Sequence, residues 1–391
     1  MNHARLEHKT PGRSMRCRTW SYPVIIPSSI AGNSAEAARH DDLPALPCPM
    51  RTDLLVLVLV TAACSSDPGL PPLTHDTSLQ CPMPDGLPFR TTTTGFQVAQ
   101  NESLASSEPR AKDQASDTVG NPGGLVANIY LADGAAAVAG PVTYHGVKAR
   151  TAVTAGYFAD PLPGEKVSLW SYDGSAWNSI ASATLDADGA YDLSATGFIA
   201  ANKQPVYSML EADGSCAEHY TTLLPPGSKV VITDIDGTLT IDDNQLIDQI
   251  PDATYVPIAM GSAVELMKAW DAKNYSIIYL TARPHVLRVE SRGWLRDAGF
   301  PNGALLTAIQ TEEASAYKTA WLRRMVTQFG WVPVAAYGNA DTDITAYNNV
   351  GIPKDRTFIV GPLAGSNGTQ PIQGMDFGAH IAGYVAAQPA N

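Results

Sequence analysis

The 391-residue sequence is short of positive charge, of cysteine and of long apolar runs. Lys and Arg number 26 against 38 Asp and Glu, a formal net charge of −12. Nucleic-acid binding wants a basic patch, so that class of partner is set aside. An anionic substrate must then be attracted by local groups and not by the field of the whole chain. The unbroken apolar run Leu54–Val60 has seven residues, whereas a membrane-spanning helix takes about 20. Of the five cysteines, none has the setting of a nucleophile with a His partner.

What is present divides the chain into five stretches. Residues 1–49 mix Arg, His, Pro and Ser without periodicity and read as disordered or as an over-extended start. Residues 50–63 run from Met50-Arg51 through Leu54–Val60 to Thr61-Ala-Ala, just ahead of Cys64. That is the layout of a bacterial lipoprotein signal with Cys64 as the lipidated residue, although Asp53 and Thr61 depart from it. The expected location is a membrane-anchored exported lipoprotein of the bacterial cell envelope, or a secreted protein. Residues 64–122, rich in Ser, Thr, Pro, Gly and Asp, read as a flexible tether. Residues 123–226 carry short alternating runs (Leu125–Leu131, Lys166–Tyr172, Ser179–Leu185, Tyr191–Leu193, Val206–Leu210) separated by Asp-Gly turns. They predict a small β-sandwich without a catalytic constellation. Cys17 and Cys48 precede Met50, which leaves Cys81 and Cys216 as an even pair. A disulfide between them and two free buried thiols remain alternatives.

Residues 227–391 hold the chemistry. Val230-Val-Ile-Thr233 is a buried-strand pattern that ends in Asp234 and Asp236, followed by Gly237 and Thr238. In an open parallel sheet, ligands bind beyond the carboxyl ends of the strands. One carboxylate there can attack phosphorus covalently, and the other can protonate the leaving oxygen and then activate water. The plainer reading is an Asp-Gly turn. Three further strand-end signals follow in order. Ser276–Thr281 ends in a hydroxyl followed by Ala282 and Arg283. Lys318 lies in a helical pattern over residues 312–329. Val332–Asn339 leads into Ala340-Asp-Thr-Asp343. A hydroxyl, backbone amides and a lysine suit phosphoryl oxygens, and Asp234 with an acid near residue 343 offers the oxygen ligands that Mg²⁺ prefers. Taken singly, Thr281 reads equally as a helix cap, Lys318 as a solvated face, and Asp341 and Asp343 as caps.

With these residues in view, the sequence resembles a family. Asp-Ile-Asp-Gly-Thr-Leu-Thr240, Leu280-Thr-Ala-Arg-Pro284, a lone Lys318 and Gly338-Asn-Ala-Asp-Thr-Asp343 are similar to the motif series of haloacid dehalogenase-like phosphatases. Ser291-Arg-Gly-Trp-Leu295, Phe300-Pro-Asn-Gly303, Ala336-Tyr-Gly-Asn339, Ala346-Tyr347 and Thr357-Phe-Ile-Val-Gly361 are similar to the lipin-type domain. The version they resemble most stands at the C-terminus of membrane-associated phosphatidylinositol transfer proteins, and Ala217-Glu-His-Tyr220 and Leu224-Pro-Pro-Gly227 fit it too. The resemblance spans roughly residues 217–362. It implies an α/β fold with a doubly wound, mostly parallel sheet after the β-sandwich. It makes Asp234 the nucleophile and Asp236 the acid/base. Thr281 and Lys318 become phosphate holders, with Gly237, Thr238, Ala282 and Arg283 also lining the phosphate. Asp234, Asp236 and Asp343 become Mg²⁺ ligands with help from Asn339, and Asp343 is preferred to Asp341 because it fits the Thr-Asp ending.

Neither the interval from Asp234 to Thr281 nor that from Thr281 to Lys318 has room for a sizeable cap domain. An open site suits a phosphate carried on a large substrate, such as a phospholipid in a surface. Arg288, Arg292 and Arg296 recur every four residues along one helix side. They read as a contact for anionic lipid or as a solvated face diluted by Glu290 and Asp297. The expected activity is a Mg²⁺-dependent phosphatase acting on phosphatidate or a related phospholipid at a membrane. A non-catalytic phosphatidate-binding module, and a phosphatase of soluble phosphomonoesters or phosphoproteins, remain the alternatives.

Overall fold

A run of apolar and β-branched residues with no polar alternation, such as Lys229–Thr233, can be buried on both faces only inside a covered parallel sheet. That is where it lies. The computed structural model describes residues 94–98, 111–113, 115–131, 136–137, 142–151, 159–173, 175–195, 202–212, 214–249, 255–308 and 313–391. Cys64, Cys81 and the whole of residues 1–93 lie outside them.

The C-terminal half holds six parallel strands. They are β12 (Lys229–Thr233), β13 (Ser276–Pro284), β14 (Ala304–Ala308), β15 (Val332–Gly338), β16 (Thr357–Ile359) and β17 (Gln370–Pro371). Their order is β14-β13-β12-β15-β16-β17, and every neighbouring pair is parallel. This is a doubly wound α/β sheet whose direction of growth reverses between β12 and β15, the place where such sheets bind ligands. The helices of this half are α1 (Asn244–Gln249), α2 (Ala263–Ala272), α3 (Arg288–Asp297), α4 (Ala314–Arg323) and α5 (Asp341–Asn349). Helix α2 buries Ala263, Leu266, Met267 and Trp270, one stripe at helical spacing. Helix α4 starts where the Glu313 carboxylate accepts the amides of Ser315 and Ala316. Alternate residues of β12 feed two cores: Val231 joins Met267, Trp270 and Tyr279, while Val230 and Ile232 join Trp321, Met325 and Tyr347.

The N-terminal half is β-rich. Its strands are β1 (Ala111–Asp113), β2 (Thr118–Gly120), β3 (Leu125–Ala127), β4 (Ala136–Ala137), β5 (Val142–Thr151), β6 (Ala159–Pro161), β7 (Lys166–Tyr172), β8 (Trp177–Thr184), β9 (Ala190–Ala195), β10 (Pro205–Leu210) and β11 (Cys216–Leu223). One sheet runs β4-β3-β2-β11-β10-β7-β8, and a second runs β1-β5-β6 with β9 on β5. Cys216 is disulfide-bonded; the other four cysteines of the chain all lie outside the described residues.

Two expectations change here. Part of the stretch read as a tether is structural: Ser116, Asp117, Thr118 and Val119 are buried, and β2 pairs in parallel with β11. Polar composition concealed this, because the polar groups are consumed inside the protein. Val119, Ala127 and Ile129 also join the core cluster of Val230, Ile232 and Leu280, so both halves share packed surface. The arginine series is neither a solvated face nor open to lipid. Arg288 and Arg292 of α3 are buried, and both donate to the Asp117 carboxylate, at 2.5 and 2.6 Å. The Tyr220 and Leu305 amides complete its partners at 2.9 and 2.7 Å. Burial would raise the Asp117 carboxyl, but the two guanidinium groups and these amides outweigh it and hold it below the usual range. Arg296, partly exposed, lies 3.6 Å from Glu218 and 2.9 Å from Asp297.

A hydrogen-bonded line runs through the core that also holds Trp294 and Leu295 of α3. Trp270 Nε1 donates to the Tyr337 hydroxyl at 2.8 Å, and that hydroxyl is hydrogen-bonded to His380 Nε2 at 2.9 Å. Its partly buried setting assigns His380 as a neutral ring, and either tautomer satisfies the Tyr337 hydroxyl. Burial lowers its proton affinity, to a pKa of about 4. Below pH 6.5 the unfolded chain takes up a proton that the native state refuses until about pH 4, so this residue lowers stability as pH falls through that window. His380→Gln keeps an acceptor for Tyr337 and removes the titration. The wild-type stability minus that of the variant, from urea midpoints, is expected to fall between pH 6.5 and 4, and a flat difference would refute the assignment.

Candidate active site

The strand ends of β12 and β15 are joined directly, because the Asp234 amide donates to the Tyr337 carbonyl at 3.1 Å. The chain then turns through Gly237, which has a φ of 63° and whose amide donates to Thr240 Oγ1 at 3.0 Å. A Cβ there would lie 2.1 Å from Asn339 Nδ2, so both backbone and space require glycine. Thr238 Oγ1 donates to Asn339 Oδ1 at 3.2 Å, and the Asn339 amide approaches Asp243 at 3.3 Å. Gly338 is equally constrained: a Cβ would lie 2.5 Å from that of Asp343.

Asp234, Lys318 and Asp343 come together in this crevice. Lys318 Nζ lies 3.0 Å from Asp234 Oδ1 and 2.6 Å from Asp343 Oδ1. All three side chains are buried. Asp343 Oδ2 also accepts the amides of Asn339 and Ala340, each at 3.1 Å, so the capping role and the site role fall on one residue. Asp341 is exposed, and of the two acids it is Asp343 that meets Lys318. Burial pushes the Asp234 carboxyl up to about 7; Lys318 opposes this, while Asp343 and Asp236 add to it. Burial works against the Lys318 charge too, but Asp234 and Asp343 outweigh it and raise its proton affinity. Burial dominates for Asp234 and the two carboxylates dominate for Lys318. A single buried cation faces two carboxylates, so Lys318 stays charged and one carboxylate is left without its own counter-charge.

That excess charge bears on the implied metal. Asp234 and Asp343 suit a Mg²⁺ ion, which takes one or two protein carboxylates and completes its shell with water and phosphate oxygens. Among the described residues no group of three His, Cys, Asp or Glu side chains converges to hold a metal. Asp236, expected as a further ligand, is engaged elsewhere, and the Asn339 side chain is taken by Thr238 and Asp243.

The partner of Asp236 is Arg283. Its Nε donates to Oδ1 and Oδ2 at 3.1 and 2.9 Å, and a terminal nitrogen donates to Oδ1 at 2.8 Å. The other terminal nitrogen donates to Gln249 Oε1 at 3.1 Å and Ser291 Oγ at 3.0 Å. With the Arg283 side chain 0% exposed, its guanidinium is taken up by Asp236 and not left free for a phosphate, unlike the expectation. The Arg283 amide donates to Thr281 Oγ1 at 3.2 Å, which turns the chain at the end of β13 and leaves Ala282 half-buried beside it. Gln249 and Ser291 were not expected at the site. Both come from helices, and only their shared hydrogen bonds to Arg283 mark them.

Residues 231–361 match the family model described as the LNS2 domain of PITM 1-3. These residues form an LNS2-type domain. Among curated relatives, protein retinal degeneration B of Drosophila melanogaster is 28% identical over 252 residues, covering 63% of this chain and 18% of the relative. Membrane-associated phosphatidylinositol transfer protein 3 of Mus musculus is 28% identical over 185 residues, covering 47% of this chain and 18% of the relative. The chain thus spans under a fifth of the length of either relative. A solved structure titled as a HAD-like phosphatase from Mesorhizobium loti is 14% identical with a TM-score of 0.32, over 42% of this chain and 87% of that one. At that score the likeness carries no weight for the LNS2-type domain.

The relatives correct the reading of the N-terminus. They are fly and mouse proteins, not bacterial lipoproteins, so a bacterial signal over 50–63, a lipid on Cys64 and a location in the bacterial cell envelope fall away. A short apolar run before small residues and a cysteine is too brief a pattern to stand against them.

Proposed function

We propose that the LNS2-type domain of this chain is a phosphoric monoester hydrolase working through an aspartyl-phosphate, with a phospholipid such as phosphatidate as its substrate. The observation that supports it most is Lys318 held between Asp234 and Asp343 at the switch point of the sheet. In this reading an Asp234 oxygen attacks phosphorus as the bond to the leaving oxygen breaks, and Asp236 delivers the proton that the leaving oxygen needs. Water then attacks the phosphoryl group, gives its proton to Asp236, and releases phosphate and free Asp234. Lys318 offsets the negative charge gathered there. Mg²⁺, when bound by Asp234 and Asp343, supplies the remaining positive charge and orients the phosphate. Between β12 and β13 the described chain has only α1 and α2 as helices, and no domain covers the crevice from that segment. Such openness suits a head group presented at a surface, in keeping with relatives named as membrane-associated phosphatidylinositol transfer proteins.

One observation favours a second reading, a phosphate-binding module without turnover: both oxygens of Asp236 are occupied by Arg283. One assay separates the two. The full chain is incubated with Mg²⁺ or excess EDTA and given phosphatidate vesicles, lysophosphatidate or an aryl phosphate. Turnover of phosphatidate that stops with EDTA is expected, and Asp236→Asn should slow it by roughly 10²–10⁴-fold, the usual share of acid–base catalysis. Vesicle binding without phosphate release would establish the module instead, and full activity in EDTA would remove the metal from the scheme.

A further inference from the structure

Arg283 is the only described side chain hydrogen-bonded to the Asp236 carboxylate, so whatever fixes Arg283 fixes the acid/base. Ser291 is one of its two other anchors. Ser291 lies in α3 between Arg288 and Arg292, and its hydroxyl is itself held by donating to the Leu287 carbonyl at 2.8 Å. Arg288 and Arg292 are one helical turn apart and share a side of α3. Both end on the Asp117 carboxylate, and Arg288 also donates to the Glu218 carbonyl at 2.8 Å. The Arg292 guanidinium lies over the Tyr220 ring, 4.4 Å from its centroid. Asp117, Glu218 and Tyr220 all belong to the β-rich half, outside the residues that match the family model. A carboxylate 0% exposed with four donors is a costly thing to bury for adhesion alone. What it gains is a helix pinned in rotation and height.

We infer that Asp117 is a positioning residue for the Asp236 end of the site, acting through Arg288 and Arg292 on α3, through Ser291, and through the Arg283 guanidinium. The β-rich half is then part of the functional unit and not an appendage to it. A domain trimmed to residues 231–361 would lack the carboxylate that sets α3. The kinetic consequence rests on the hydrolase reading, whereas the structural one does not.

The test is carried out on the full chain by following the Arg283 Nε–H in ¹H–¹⁵N spectra, assigned by its loss in Arg283→Lys. This proton is shielded while the guanidinium grips both oxygens of Asp236. Asp117→Asn and Arg288→Lys are compared with wild type; the second keeps the charge beside Asp117 but cannot reach the Glu218 carbonyl as well. Faster exchange of that proton in the native state is expected, by roughly 2–30-fold, the span of coupling carried by such networks. A matching fall in kcat with KM unchanged should accompany it. A merely structural role would lower the melting temperature but leave both the proton and kcat per folded molecule as in wild type, and that result overturns the inference. If neither variant folds, Ser291→Ala decides: an unchanged Arg283 Nε–H there breaks the link from α3 and equally overturns it. Should wild type release no phosphate from any ester, the hydrolase reading fails while the spectral comparison still stands.

Discussion

Asp234→Asn is expected to abolish phosphate release while leaving the fold intact and no less stable. On the proposed hydrolase reading the nucleophile is lost, so the fall should exceed the roughly 10²–10⁴-fold that accompanies loss of acid–base help alone. The expectation for stability follows from the charge count. Lys318 faces two buried carboxylates, and burial already drives the Asp234 carboxyl up to about 7. An amide of the same shape removes the uncompensated charge and leaves Lys318 paired with Asp343. Turnover rates and thermal midpoints measured together check both halves. Retained turnover would sink the covalent scheme, and a large drop in midpoint would show that the ion pair to Asp234 is a net stabiliser.

Lys318→Met should have the opposite signature. It leaves Asp234 and Asp343 buried without their cation, and removing one partner of a buried pair costs about 3–5 kcal/mol. The loss should depend on pH in a defined sense. Asp234, raised by burial and by Asp343, loses the partner that restrained it, so the native state holds a proton at pH values where the unfolded chain has released it. Stability of the variant should therefore recover as pH falls; wild type shares a slope of this sign between pH 4 and 7, so the extra loss in the variant should appear as pH rises above about 7. Urea unfolding at several pH values gives the answer directly. A variant as stable as wild type at pH 7 would mean that the two carboxylates do not depend on Lys318.

The order of chemistry along the chain is legible in the amino-acid sequence, because short-range pattern carries it. An apolar run ending in Asp234 and Asp236, a second ending at Thr281, and a third leading to Asp343 each declare a strand end, and strand ends of a parallel sheet converge. Gly237 reads as a turn, though the reason neither it nor Gly338 tolerates a Cβ lies in Asn339 and Asp343, which only folding brings near. That Asp343 and not Asp341 is buried beside Lys318 likewise depends on which side of the first turn of α5 faces the crevice.

Charged side chains mislead wherever their partners are remote in sequence. Arg288 and Arg292 look like a surface stripe until Asp117 arrives from 171 residues away to meet Arg288. Asp117 itself sits in polar surroundings that resemble a tether. Arg283 looks like a phosphate ligand, yet Asp236 takes its guanidinium. The physical reason is the same in each case. A charge is acceptable in water or against an opposite charge, and local sequence states only that the charge exists. Periodicity and turn chemistry are local properties, so the sequence by itself determined the sheet and its strand ends, whereas Lys318 stood out only through the family resemblance. Compensation of buried charge is a tertiary property. Only the fold decided that the β-rich half supplies Asp117 to α3, and that Arg283 pairs with Asp236.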